Sequence, residues 1–215
     1  SAEAEAGWTM FKELWQYTNP ASTNYAFMQE PLLSGDVWVA FDHIARLADA
    51  FNQRPDDFVA FPAPAGPVGR GFMPVLAGIA IPQGAPDMEA SKRLASYMMQ
   101  PETQVATLLA TNFYPVTDAP LPEDLPASAR ALGPAITAMT TSTDALPALL
   151  PVGLGDMGGQ FNQVYTDTFE RIVLGNQPIR DVLDQQADVL RGILEQAGAP
   201  CWLPDEPSEG PCPVD

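Results

Sequence analysis

The alternation of strand-like and helix-like segments across residues 32–116 constrains this chain more than any other feature. It begins with a helix end (LLSG), a buried strand (DVWVAF) and a polar break that opens a basic helix (DHIARL). A second strand runs into a Pro/Gly loop (FVAFPAPAGPVGRGF), and a third strand (AGIAIPQGAP) precedes two helices joined at a proline. Loops after strands are where α/β folds place ligand sites. The pattern therefore predicts a helix-rich α/β fold with polar loop groups at the strand ends.

The apolar periodicity predicts three strands, at 37–41, 56–64 and 76–82, and helices elsewhere. The first helix carries Trp8 and Trp15 and ends near Pro20, and a second runs to Gly35 with Pro31 interrupting it. Asp87 is expected to cap a helix that buries Leu94, Ala95 and Met98. A short helix is predicted at 45–51, another begins at Pro101, a weakly patterned one covers 127–150, and two strong amphipathic stripes cover 161–172 and 179–194.

The charge of the chain is strongly negative. It has 27 acidic and 10 basic residues, for a formal net charge of −17. Nucleic acids and anionic membranes attract Lys/Arg clusters, so the composition argues against both as partners. No apolar run reaches the roughly 18 residues that a membrane span needs, and we therefore expect no direct membrane insertion. The opening residues show no signal-peptide pattern, although such a segment could have been removed.

The two cysteines, Cys201 and Cys212, both lie in a tail that is rich in Pro and Gly and has no helical period. Packing alone would hold such a segment poorly. A disulfide closing the loop would stabilise it by about 2–3 kcal/mol, mainly by restricting the unfolded chain. We therefore predict a Cys201–Cys212 disulfide and, because disulfides persist in oxidising compartments, an exported protein.

The sequence contains few groups that are arranged for catalysis or metal binding. His43 is the only histidine in the sequence. Zinc and transition-metal sites use several histidine or cysteine ligands, so the sequence argues against such a site. No serine lies in a GxSxG context, and GPVGRGF lacks the lysine and spacing of a phosphate loop. The sequence thus predicts no catalytic residues, no metal and no cofactor. A glycosidase would need two facing carboxylates, and the abundant acidic residues leave that alternative open.

Two groups of polar residues next to predicted strands are candidate ligand contacts. Asp42, His43 and Arg46 follow the first strand, and Arg70, Gly71 and Phe72 lie in the loop before the third. Charged groups that hydrogen-bond hydroxyls, next to an aromatic ring, suit a polar, hydroxyl-rich solute. The alternative is structural: Asp42 and Arg46, at i and i+4, would pair with each other, His43 would only begin a helix, and Arg70 would be a solvated loop charge. Trp8, Trp15, Trp38 and Tyr25 are predicted to lie in the core rather than to contact a sugar, and Trp202 is predicted to pack under the tail loop.

The order of these segments resembles the C-terminal half of the family 1 extracellular solute-binding proteins of ABC transporters, the carbohydrate-type, maltose-binding-like proteins. The resemblance rests on LLSGDVWVAFDHIARL, FVAFPAPAGPVGRGF, VLAGIAIPQGAPDMEASKRLASYMMQPETQ and NFYPV, in that order. The segment from PVGLGDMGGQ through the last helix is similar to the closing helices of that family.

The resemblance implies a type II periplasmic-binding-protein-like C-terminal lobe, with a small mixed sheet flanked by helices. Residues 1–198 would form that lobe, with the N-terminal lobe apparently missing, and 199–215 would be the disulfide-closed tail. It adds three ligand positions around the glycine loop, Asp156, Met157 and Asn162. The implied function is to bind a small polar solute, a sugar or oligosaccharide, outside the cytoplasm and deliver it to an ABC permease. An exported carbohydrate-active enzyme and an exported structural domain remain the alternatives.

Overall fold

The structure is a computed structural model that describes residues 1–75, 78–148, 153–201 and 205–213. It is helix-rich, with 53% of the described residues helical, and it carries a small two-stranded parallel sheet. The prediction of a helix-rich fold with a small sheet flanked by helices is confirmed. The helices are α1 (Ala2–Trp15), α2 (Gln29–Ser34), α3 (Ala48–Gln53), α4 (Met88–Met98), α5 (Pro101–Thr111), α6 (Ala127–Thr140), α7 (Gly158–Phe169) and α8 (Ile179–Ala197).

Shorter elements connect these helices. Three 3₁₀ turns lie at Pro20–Asn24, Ile44–Arg46 and Gly155–Met157, and a π-helical segment, Glu170–Leu174, extends α7. The sheet pairs β1 (Arg70–Phe72) with β2 (Ala145–Pro147). The sequence pattern places β1 in a loop and β2 inside the predicted helical region 127–150, because three residues are too few to show an alternation of apolar and polar positions.

The chain divides into two compact units. The terminal unit comprises Ser1–Pro20 and Pro147–Asp215, and the central unit comprises Ala21–Leu146. The prediction of one lobe over residues 1–198 stays a prediction, because a single lobe can contain more than one compact unit.

The terminal unit contains two apolar clusters. In one, Ile172, Val173 and Val182 are buried, and Trp8, Trp15 and Phe169 pack against them. The Trp15 and Phe169 rings meet edge to face, with their centroids 5.1 Å apart. The second cluster joins α7 to the end of α8 through buried apolar side chains: Leu154, Phe161, Val164, Ile193, Leu194 and Ala199. The predicted helical stripes therefore form the core of this unit.

The core of the central unit lies between α3 and α6. Ala48, Phe51 and Leu132 are buried there, and Phe58 and Ala60 pack against them. A polar network closes one end of this core: the side-chain oxygen of Asn52 accepts from the backbone N–H of Ser128 at 3.0 Å. Ser128 is fully buried, and its hydroxyl lies 3.3 Å from the side-chain oxygen of Asn112. The network fixes the start of α6 against α3.

Several predicted helix ends are confirmed. Gly35 and Gly198 follow α2 and α8 with φ of 80° and 60°, the left-handed conformation that glycine adopts without strain. The Asp87 carboxylate accepts the N–H of Ala90 at 2.8 Å and so caps α4. Pro101 occupies the first turn of α5. Pro31 does not interrupt its helix, since it lies in the first turn of α2, where a missing N–H costs no intrahelical bond.

The three predicted strands are wrong in the described residues. Segments 37–41, 56–64 and 78–82 contain no strand, and residues 76 and 77 of the third lie outside the described part of the chain. The exposed fraction is 96% for Trp38 and 80% for Phe41, so the expectation that Trp38 lies in the core is also wrong. A β-strand forms only where a neighbouring strand completes its backbone hydrogen bonds. An apolar sequence pattern indicates that a segment can be buried, but it does not indicate which strand would pair with it.

Helix α4 forms where expected but does not bury the predicted face. Leu94 and Met98 are 60% and 41% exposed, Ala95 is partly exposed, and no residue of α4 is buried. Helix periodicity reports which side chains share a face, whereas their burial depends on whether another element covers that face. Among the described helices and strands, α5 is the one that packs most closely against α4.

Candidate functional site

Asp42 is the centre of the first group of candidate residues, in the turn after residues 37–41. One carboxylate oxygen accepts the N–H of Met28 at 3.0 Å and the other accepts the N–H of His43 at 2.7 Å. The Asp42 side chain is only 10% exposed. Both carboxylate oxygens therefore take part in holding the chain between α2 and the Ile44–Arg46 turn.

Arg46 lies beside this carboxylate but remains half-exposed. Its guanidinium nitrogen Nη1 is 3.7 Å from Oδ1 of Asp42, and its Cζ lies 5.5 Å from the centre of the Phe27 ring. The i,i+4 pairing that sequence reasoning offered as the structural alternative is thus confirmed. Since an arginine has five N–H donors in a fixed fork, this arrangement leaves donors available on an oriented guanidinium.

His43 is at the beginning of the same turn. Its backbone is extended, at φ −61° and ψ 139°, and its side chain makes no capping hydrogen bond to the turn. The imidazole is partly exposed. The structure therefore brings Asp42, His43 and Arg46 together in one short turn, as the sequence predicts.

Arg70 begins β1 and is held from two sides. The guanidinium Nη1 donates to the Ala63 carbonyl, while Nε lies 3.5 Å from Oδ1 of Asp144 without forming a hydrogen bond. The backbone N–H of Arg70 donates to the Asp144 carbonyl at 2.7 Å. The side chain is 24% exposed, so Arg70 is a partly buried anchor between the Pro/Gly loop and the chain before β2.

Asp144 carries the one clear perturbation among these groups. The Ser142 hydroxyl donates to its carboxylate and, together with the positive charge of Arg70, holds the pKa of that carboxyl below its usual range. The sequence pattern singled out neither Ser142 nor Asp144, because they lie more than 70 positions after Arg70. No local spacing signals such a contact.

The Pro/Gly loop owes its shape to Gly69. A Cβ atom at this position would lie 2.5 Å from the Asp144 carbonyl oxygen and 2.8 Å from Cδ1 of Leu146. The loop also closes on itself, since the N–H of Gly66 donates to the Gly69 carbonyl at 2.7 Å. These contacts lead the chain into β1, on which Gly71 is exposed and Phe72 is partly buried.

The third group of candidates is in the terminal unit, where the glycine-rich loop leads into α7. Gly153 and Gly155 have φ of 80° and 51°, which allows the chain to turn sharply around Leu154. Asp156 and Asn162 are exposed, and Met157 packs against the buried cluster that contains Leu154 and Phe161. Asp156 and Asn162 therefore present polar groups to solvent, while Met157 anchors the turn.

None of the candidates lines the described depression on the central unit. That depression, of about 340 Å³, is bordered by the start of α5 and the proline-rich link: Pro101, Glu102, Val105, Pro120, Leu121 and Pro122. Its largely apolar wall, with one carboxylate, does not suit a hydroxyl-rich solute. Within the described ranges, no three His, Cys, Asp or Glu residues converge in a way that could hold a metal ion.

The disulfide predicted in the tail is present. Cys201 and Cys212 are bonded, with their Cα atoms 4.5 Å apart. Around it, the N–H of Cys201 donates to the Ser208 hydroxyl at 2.9 Å and the N–H of Cys212 donates to the Ala199 carbonyl at 2.8 Å. Trp202 lies outside the described residues.

Comparison with known proteins identifies a family. The family model described as bacterial extracellular solute-binding protein matches residues 1–133, which is more than half of the chain. None of the curated proteins compared with the chain matches it. In the described part of the chain, no helix is both long enough and apolar enough to span a membrane. On the extent of the family match, the chain belongs to the bacterial extracellular solute-binding proteins.

Proposed function

We propose that this chain binds a sugar or oligosaccharide outside the cytoplasm and delivers it to an ABC permease without transforming it. The observation that carries the proposal is the family match over residues 1–133. Membership of the family implies a small solute ligand, an exported protein and an ABC transporter as partner. The sugar class, the contacting residues and the C-terminal-lobe assignment of residues 1–198 are our proposals beyond the family.

In the central unit, we assign solute contact to Arg46 and His43, with Asp42 as the residue that orients them. The Asp42 carboxylate holds the turn through two backbone N–H groups, and the half-exposed Arg46 guanidinium lies between that carboxylate and the Phe27 ring. A guanidinium held in this way can donate to sugar hydroxyls with little loss of side-chain entropy, because its orientation is already set.

The β1 segment supplies a second set of proposed contacts. Arg70 is anchored by the Ala63 carbonyl and Asp144, so its neighbours Gly71 and Phe72 are held in a defined strand. Phe72 offers an aromatic ring and Gly71 an exposed backbone without a side chain. Aromatic rings cover the apolar face of a sugar, and backbone groups hydrogen-bond its hydroxyls.

In the terminal unit, Asp156 and Asn162 are the proposed contacts, and Met157 is the proposed support for them. A carboxylate and an amide at solvent-exposed positions can accept from and donate to hydroxyl groups.

The net charge of −17 favours a neutral or cationic solute over a polyanion and argues against nucleic acid as a partner.

The test is a solute panel applied to the full chain. Sugars, oligosaccharides, polyols and amino acids are screened by thermal shift, and calorimetry then gives the dissociation constant of each stabilising solute. A solute at one hundred times its dissociation constant should stabilise the folded state by about 2.7 kcal/mol. We expect a sugar or oligosaccharide to stabilise the chain, and Arg46→Gln to weaken its binding by roughly tenfold or more.

The matched control is Arg93→Gln, an exposed arginine on α4 that is not among the proposed contacts. It should leave the affinity unchanged. Product formation from the sugar, lost on a single Asp or Glu substitution, would instead identify a carbohydrate-active enzyme. Stabilisation by amino acids alone would overturn the sugar assignment while keeping solute binding, and no stabilisation by any solute would favour a structural domain.

A further inference from the structure

The tail after α8 folds back onto the residues that begin it. Three contacts join residues 208–212 of the tail to its first residues, Ala199–Cys201. Cys201 and Cys212 form the disulfide, the Cys212 N–H donates to the Ala199 carbonyl, and the Cys201 N–H donates to the Ser208 hydroxyl. The Ser208 hydroxyl in turn donates to the Gly210 carbonyl at 2.6 Å. These bonds make the segment around Ala199 the anchor of the tail.

Ala199 is also part of the core that supports the glycine-rich turn. It is 2% exposed and belongs to the cluster of Leu154, Phe161 and Leu194, against which Met157 packs. A Cβ atom built on Gly153 would lie 3.6 Å from Cβ of Ala199 and 3.8 Å from Cδ of Pro200. The chain that enters the turn therefore runs directly against the anchored part of the tail.

We propose that the Cys201–Cys212 disulfide positions the turn at residues 153–157, so that Cys201 and Cys212 are positioning residues for the solute contacts of Asp156. This inference rests on the proposed function for the role of Asp156, but its structural part is independent of it. The turn consists of a single short 3₁₀ element, Gly155–Met157, with two backbone bonds: the Met157 N–H donates to the Leu154 carbonyl at 2.9 Å, and the Gly158 N–H donates to the Gly155 carbonyl. Such a short element has little stability of its own and depends on what it packs against.

The alternative is that the disulfide stabilises the terminal unit as a whole. The two apolar clusters of this unit separate the two cases. The cluster of Ile172, Val173 and Val182 contains no residue of the turn or the tail, whereas the cluster with Leu154 and Ala199 contains both. If the disulfide positions the turn, its removal should affect mainly the cluster with Leu154 and Ala199. If it stabilises the whole unit, its removal should affect both clusters.

The experiment is amide hydrogen exchange on the full chain, comparing the unaltered protein with the double variant Cys201→Ser/Cys212→Ser. We expect exchange in peptides covering 153–160 to become about tenfold faster or more, while exchange at Ile172, Val173 and Val182 changes less than twofold. Equal acceleration in both regions, or no acceleration at 153–160, would overturn the positioning role.

A second variant keeps the test informative if the double variant does not fold. Ser208→Ala retains the disulfide and removes only the hydroxyl that links the Cys201 N–H to the Gly210 carbonyl. It should accelerate exchange at 153–160 in the same direction but by a smaller factor, and an unchanged rate there would count against the proposal. Since neither exchange measurement uses a solute, failure of the solute panel would overturn the proposed function and leave these results standing.

Discussion

Arg70 and Asp144 form a double contact across 74 positions of sequence: the guanidinium Nε lies 3.5 Å from the carboxylate, and the Arg70 backbone N–H donates to the Asp144 carbonyl at 2.7 Å. The backbone bond joins β1 to the chain just before β2, and the side-chain contact fixes the partly buried arginine. This pairing holds the Pro/Gly loop and the proposed contacts Gly71 and Phe72 in place.

The first prediction concerns acid. Because the pKa of Asp144 is lowered in the folded state by the Ser142 hydroxyl and Arg70, its ionised form favours folding. That contribution is complete above the unfolded-state pKa of about 3.9 and is lost as pH falls through the lower folded-state value. Thermal unfolding followed between pH 7 and pH 2 should show a loss of stability at the acid end that is smaller in Asp144→Asn than in the unaltered protein. An equal acid dependence in the two proteins would contradict the coupling.

The second prediction concerns Gly69. In Gly69→Ala the new Cβ atom would meet the Asp144 carbonyl oxygen at 2.5 Å, so the loop or β2 must shift. We expect a loss of about 1–3 kcal/mol in the free energy of unfolding, measured by urea titration. Gly71→Ala is the control, since no atom lies within 4 Å of a Cβ built there. Comparable losses in both variants would show that the close approach at Gly69 is not the cause.

The third prediction separates buried from exposed aromatic residues in the central unit. Phe51 is 3% exposed and its ring lies 5.9 Å from that of Phe58, whereas Phe61 is 60% exposed. Phe51→Ala should reduce the free energy of unfolding by about 3–5 kcal/mol, because it leaves a cavity in the core. Phe61→Ala should cost less than about 1 kcal/mol, and it should lower the tendency to aggregate in concentrated solution. Denaturant unfolding and light scattering measure the two effects.

The fourth prediction concerns the carboxylate of Asp42. In Asp42→Ala the backbone N–H groups of Met28 and His43 lose their acceptor, and we expect a loss of about 1–3 kcal/mol in unfolding free energy. Asp42→Asn keeps one acceptor oxygen, and its unfolding free energy should lie between those of the unaltered protein and Asp42→Ala. Asp56→Ala, at an exposed position, serves as the comparison and should be nearly neutral. A neutral Asp42→Ala would argue that Asp42 does not hold the turn.

The helices were largely predictable because their signals are local. Asp87 caps α4, Pro101 opens α5, and Gly35 and Gly198 end their helices, each within one or two residues of the expected position. The turn containing Asp42, His43 and Arg46 was predictable for the same reason, since the three residues are within five positions of one another. The Cys201–Cys212 disulfide followed from there being only two cysteines, both in one short tail.

The sequence by itself determined where the helices begin and end, the acidity of the chain and which polar residues share a turn, because these depend on neighbours a few positions apart. Only the tertiary structure decided that β1 pairs with β2, that Arg70 meets Asp144, and that the apolar residues around Trp38 and on α4 stay exposed. An apolar pattern states that a face can be buried, while the covering partner is set by the path of the whole chain.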